Sequence, residues 1–171
     1  MSTMRVLGAT VALTVALVLQ VSVFPYFAWH GIVPNLLLLV VVGAALVRGA
    51  QFAMVLGFLA GVLLDLAPPA DHVAGRWALA LTLVGYVAGR VVPEGRTTVP
   101  AVLATVAASS FLGTSVFAFT GLVLRDPAVG IPDLLQVIAG AVAWDVLVTP
   151  LVLPIVMGMF RRLEPQQALV R

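Results

Sequence analysis

The sequence predicts an all-α integral membrane protein, a single bundle of six transmembrane helices with both chain ends in the cytoplasm. Hydrophobic residues make up 62% of the chain and charged residues only 9%. A soluble domain needs about a quarter of its residues charged to cover its surface. Apolar runs of nearly bilayer length recur along the chain, and arginines gather between alternate runs. The outer surface is therefore expected to face the lipid bilayer.

Six apolar runs predict the helices, because about 20 apolar residues are needed to cross a bilayer. The first run follows Arg5 and ends at an aromatic segment, Pro25 to Trp29, that is typical of the membrane interface. Proline-rich turns end the third and fourth runs, and Arg161 and Arg162 end the last. The whole chain, 1–171, is predicted to be one transmembrane helical domain. The predicted helices cover about residues 6–24, 32–47, 50–66, 73–92, 99–124 and 134–160.

The second and third runs are separated only by Arg48 and Gly49. A helix over 32–47 would be roughly 24 Å long, short of the ~30 Å hydrocarbon core. Two interpretations remain open: two short spans joined by a tight turn, with Arg48 reaching the headgroups, or a re-entrant pair. The two-span interpretation is favoured, because irregular backbone at membrane depth must be buried in protein.

Orientation follows from the arginines, which are enriched on the cytoplasmic side of membrane proteins. With the N-terminus inside, Arg76 and Arg125 are external. The arginines predicted to be cytoplasmic are Arg5, Arg48, Arg90, Arg96, Arg161, Arg162 and Arg171.

Small residues at four-residue spacing mark the third and fourth helices. Gly57 and Gly61 form one pair, and Gly85 and Gly89 form the other. Such pairs allow close approach of two helix backbones in lipid. The pattern fits helix packing within the bundle, and it also fits a groove for a partner helix.

Two carboxylates and one arginine lie where charge is unexpected. Asp65, near the end of the third run, has two interpretations: an interfacial carboxylate wetted by the headgroups, with Arg76 as its candidate partner, or a fixed point that ties the external ends of helices three and four. Asp145 lies roughly 16 Å along helix six, near the bilayer midplane, where a charge costs about 3 kcal/mol on insertion scales. It is expected to face the bundle interior, to be protonated, or to meet donors such as Ser or Thr on helix five. Its role is either an interhelical clasp or a site for a ligand or partner helix.

Several classes of function are excluded because the sequence lacks the residues or motifs that they require. The chain has no cysteine, and its net charge of +2 does not indicate nucleic-acid binding. His30 and His72 lie in external loops without metal-ligand spacing around them. Ser109 and Ser110 have no base in a recognisable nucleophile arrangement. The sequence therefore predicts no enzyme, no metal and no cofactor.

Four segments in the first half of the chain form a recognisable pattern: Pro34-Asn35-Leu36-Leu37, Gly57-Phe58-Leu59-Ala60-Gly61-Val62-Leu63-Leu64-Asp65, Gly75-Arg76-Trp77-Ala78-Leu79 and Gly85-Tyr86-Val87-Ala88-Gly89. Together they resemble the MreD family of rod shape-determining proteins. The resemblance implies a non-enzymatic, multi-pass scaffold of the bacterial plasma membrane that binds MreC. It implies indirect links to MreB filaments and to lateral peptidoglycan synthesis by RodA and its transpeptidase. The family is also similar in fold to the substrate-binding subunits of energy-coupling-factor transporters.

That fold similarity leaves an alternative function, a solute-binding subunit of a vitamin transporter. Such a subunit would keep a pocket open to the outside, with Asp145 at its floor. The short external loops offer few convergent polar groups for a vitamin-sized ligand. The candidate lining residues are Trp29, His30, Asp71, His72 and Trp77.

Overall fold

A computed structural model describes residues 3–68, 72–91, 98–125 and 131–162. Within these ranges the chain is helical, with an isolated bridge between Trp29 and Ile32 and no strand. The all-helical prediction is therefore confirmed. A 3-10 helix, Phe24–Phe27, follows the first of six α-helices, which are α1 (Thr3–Ser22), α2 (Leu36–Arg48), α3 (Ala50–Leu66), α4 (Arg76–Val91), α5 (Val99–Val123) and α6 (Ile131–Arg162).

Helix α2 is the core of the molecule. Every residue from Leu36 to Ala45 is buried, and α2 contacts all five other helices. Its sequence carries leucine, valine and alanine on every face, as a helix enclosed on all sides requires. With 13 residues it is only about 20 Å long, shorter than the hydrocarbon core. Its first turn, Leu36 to Leu39, is buried inside the bundle.

The predicted start of this helix, residue 32, is wrong by four residues. The side chain of Asn35 caps the helix by accepting from the Leu38 amide at 3.0 Å. Pro34 disfavours helical backbone at the residue before it. His30 and Gly31 have left-handed backbone, with φ of 50° and 78°. Residues 28–35 therefore enter the bundle as a non-helical segment that leads directly into the core.

Other helix boundaries also differ from the prediction, and α1 covers Thr3–Ser22 rather than about 6–24. Helix α4 starts at Arg76 rather than at residue 73, because Gly75 has a φ of 100° that interrupts the helix. Helix α6 is longer than the predicted 134–160, and it continues through Pro150 and Pro154.

Helices adjacent in the chain run antiparallel. The space at Gly85 is filled by Ala53 and that at Gly61 by Ala78, so α3 and α4 pair in opposite directions. Helices α2 and α3 are joined by Gly49 alone, whose φ of 77° makes the tight turn. A tight turn at this position is required both by the two-span interpretation and by the re-entrant interpretation.

The arginines separate to the two ends of the bundle. Arg48 donates to the Phe160 carbonyl at 2.8 Å, and Gly89 packs on Ala50 at the α2–α3 turn. This places Arg48, Arg90, Arg161 and Arg162 together, at what we call the arginine-rich end. Arg76 and Arg125 lie at the opposite end. Arg96, Arg171 and Asp71 lie outside the described residues, and the side chain of Arg5 is likewise not described.

Among the residues that the structure describes, two helical segments, Val99–Val123 and Leu134–Arg162, are long and apolar enough to cross a membrane by length and composition. The apolar segments Val6–Ser22, Leu36–Arg48 and Ala50–Leu66 are shorter. Large apolar side chains remain exposed on the outside of the bundle, among them Val15, Phe58, Phe119, Leu147 and Ile155. Exposed apolar surface on several helices is the pattern of a membrane protein.

Candidate functional site

The carboxylate of Asp145 is the central polar feature of the bundle. It is buried midway along α6, with 1% of the residue exposed. One of its oxygens accepts from the backbone amide of Asn35, and the other accepts from the Ser110 hydroxyl, each at 2.6 Å. Asp145 therefore joins three helices: its own α6, α5 through Ser110, and the N-terminus of α2.

The position of Asp145 at the N-terminus of α2 has an electrostatic reason. The first amides of a helix have no intrahelical acceptor, and the helix dipole places positive charge there. Asn35 contributes twice, because its side chain accepts from Leu38 while its own amide donates to Asp145. A short helix that starts inside an apolar bundle thus has its first donors satisfied from within the protein.

Asp65 performs a similar task at the end of the bundle opposite the arginines. Its carboxylate accepts from the backbone amides of Gly75, Trp77 and Ala78 at 2.8, 3.1 and 3.0 Å. His72 Nε2 lies 3.1 Å from the same group. The last turn of α3 therefore caps the first turn of α4.

Arg76 is directed to α5. Its guanidinium donates to the Phe117 carbonyl from Nε at 3.2 Å and from Nη2 at 2.7 Å. The same group lies over the Phe117 ring, 3.8 Å from its centroid. The cation fills the space at Gly121, where a Cβ would overlap it. Asp65 and Arg76 thus tie α4 to two different helices, α3 and α5, instead of forming the expected pair.

The four predicted glycines all lie between α3 and α4. A Cβ at Gly57 would overlap the Leu81 carbonyl, and one at Gly61 would overlap the backbone of Ala78. Gly85 and Gly89 approach the backbone of α3 in the same way. Backbone contact on both sides is the geometry of small-residue helix pairs in membranes. These glycines are used by packing within the chain.

The residues proposed for a solute pocket take part in aromatic contacts. His72 and Trp77 both contact Phe117, at 5.1 and 4.4 Å between ring centroids. Trp29 packs on the neighbouring His30. A groove at this end is lined by residues that include His72, Gln20 and Pro68. Its volume, about 260 Å³, is below the usual volume of a ligand pocket. In the ranges that the structure describes, no three His, Asp or Glu side chains come together as metal ligands.

Two residues contribute to these sites in ways that the sequence does not predict. Asn35 caps α2, and an asparagine just before an apolar run is the helix-start signal that could have identified it. His72, an external-loop residue and a candidate pocket residue in the sequence, contacts Asp65. Ser110 belongs to the donors on helix five that the sequence suggested for Asp145.

The fold and the buried acids define a class: helical membrane proteins in which buried carboxylates join neighbouring helices. The family model described as rod shape-determining protein MreD matches residues 2–163. The chain therefore belongs to the MreD family, a family of cell-shape-determining membrane proteins, as its four motifs indicated. Comparisons with curated proteins and with solved structures gave no match.

Proposed function

We propose that this chain is a non-enzymatic scaffold of the bacterial cell-elongation machinery. The observation that carries the proposal is the family match over nearly the whole chain, residues 2–163. The polar groups of the bundle support a structural role. Neighbouring helices are joined by three side chains, Asp65, Arg76 and Asp145. Such contacts stabilise the arrangement of the helices in the bundle.

The scaffold is proposed to lie in the bacterial plasma membrane with six spans and with the arginine-rich end in the cytoplasm. Four of the described arginines gather at that end, which agrees with the enrichment of basic residues on the cytoplasmic side. The antiparallel order of the helices supports six crossings. The short α2 would cross together with residues 32–35 before it, which are buried or half-buried, as irregular backbone at membrane depth must be.

MreC is the proposed direct partner, with MreB, RodA and its transpeptidase reached through it. The single transmembrane helix of MreC would pack on an apolar outer face of the bundle. The α3–α4 glycines are already used within the chain. The partner surface is therefore expected on other helix faces.

The experiment is affinity purification of the tagged full-length chain from its native membrane in mild detergent, followed by quantitative mass spectrometry. We expect MreC to be enriched over a tagged multi-pass protein of similar size and expression level, with RodA or its transpeptidase recovered less strongly. Recovery of a transporter's energy-coupling membrane subunit and its ATPases, without MreC, would contradict the proposal. That outcome would favour the solute-binding alternative.

A further inference from the structure

A groove of about 470 Å³ opens on the membrane-facing side of the bundle, between the first half of α5 and the second half of α6. Val99 and Leu103 line it on α5, and Pro150, Pro154 and Gly158 line it on α6. Arg161 lines its mouth at the arginine-rich end. The groove is therefore apolar along its length and positively charged at one end.

The groove exists because α6 is drawn away from α5 at this end. The two helices are joined at mid-depth by the Ser110–Asp145 hydrogen bond. Beyond that point α6 packs on α2, where Val156 fills the space at Gly43 and the Phe160 carbonyl accepts from Arg48. The helices diverge between these two attachments.

Small residues on α6 keep the groove open. Pro150, Pro154 and Gly158 follow one another at four-residue spacing and so lie on one face of the helix. A Cβ added at Gly158 would meet no atom within 4 Å, whereas one at Gly57 or Gly61 would overlap backbone. Gly158 therefore does not serve helix packing within the described part of the chain.

We propose that this groove binds an anionic phospholipid of the leaflet at the arginine-rich end. The acyl chain would lie along the apolar lining and the phosphate would meet Arg161. A groove in a bilayer that the protein does not fill is available to lipid, and dispersion contacts with its walls favour an acyl chain that fits. The Arg161 guanidinium donates to phosphate in a fixed fork. Basic pockets between transmembrane helices are a known mode of headgroup recognition.

The first test measures headgroup selectivity. The full-length chain in mild detergent is mixed with phosphatidylglycerol or phosphatidylcholine of identical acyl chains, and bound lipid is counted by native mass spectrometry. We expect preferential retention of phosphatidylglycerol, and Arg161→Gln should reduce that preference about five-fold, as loss of one arginine contact near a headgroup predicts. Arg162→Gln is the matched control, because Arg162 is also exposed but is not part of the groove lining.

The second test fills the groove. Gly158→Leu adds a side chain into open space, so the fold should persist, and retention of both lipids should fall. Equal retention of the two lipids by the natural chain would overturn the proposal, as would equal losses in Arg161→Gln and Arg162→Gln. Unchanged lipid binding in Gly158→Leu with loss of a co-purifying membrane protein would also overturn it, and would assign the groove to a partner helix.

Discussion

At the scale of single residues, the two buried acids act as acceptors for the ends of other helices. Asp65 accepts from the first turn of α4, and Asp145 accepts from the amide of Asn35 at the start of α2. A helix start in lipid has amides that water cannot reach. In this chain a carboxylate from a different helix supplies an acceptor for those amides, so each acid joins its own helix to the start of another.

The contribution of Asp145 can be tested with an isosteric pair of substitutions. Asp145→Asn keeps an acceptor oxygen for Asn35 or Ser110, and it should lower stability modestly. Asp145→Leu removes both acceptors and should cost more, because each buried unpaired donor costs about 1–3 kcal/mol. Thermal unfolding in detergent, followed by loss of the monodisperse peak, measures the difference. Equal destabilisation by the two variants would mean that the negative charge, and not hydrogen bonding, is what the site requires.

At the scale of helices, the sequence predicts that each of the six helices exists, but it predicts their boundaries poorly. All six helices were predicted, because apolar runs bounded by proline, glycine and arginine are strong local signals. The start of α2 differs from the prediction: Ile32 and Val33 extend the apolar run, but the Asn35 cap and its bond to Asp145 set the helix start at Leu36. That bond joins residues 110 positions apart, and no local pattern reveals it.

The α3–α4 contact gives a prediction with a control in the same chain. Gly61→Ala places a methyl group against the backbone of Ala78, and it should destabilise the protein by about 1–3 kcal/mol, as overpacking does. Gly158→Ala makes the same chemical change in open space, and it should be neutral or slightly stabilising because alanine favours helix. Unfolding midpoints in detergent compare the two variants. Equal midpoints would contradict the close packing of α3 on α4.

At the scale of the whole molecule, the sequence predicts that the arginines separate between the two ends of the bundle, and the described arginines do so. Arg48 and Arg161 lie at one end and Arg76 at the other, as the alternation of predicted spans required. The contacts of Asp65 and Arg76 depend on local geometry that the composition of the chain does not predict. Asp65 accepts from the amides of Gly75, Trp77 and Ala78 at the start of α4, where Gly75 has left-handed backbone, and no local sequence pattern predicts that contact.

The number of crossings can be tested cleanly, because the chain has no cysteine and single cysteines can therefore be labelled without background. In six spans, Gln51→Cys, just after the α2–α3 turn, should react with a membrane-impermeant maleimide only from the cytoplasmic side, like Thr98→Cys. Val73→Cys, between α3 and α4, should react only from outside. In the re-entrant alternative the turn lies at mid-membrane depth, so Gln51→Cys would react from neither side while the other two positions kept their accessibility. Labelling of whole cells and inverted vesicles, compared with labelling after solubilisation, distinguishes the two arrangements. Reaction of Gln51→Cys from outside would contradict the proposed orientation itself.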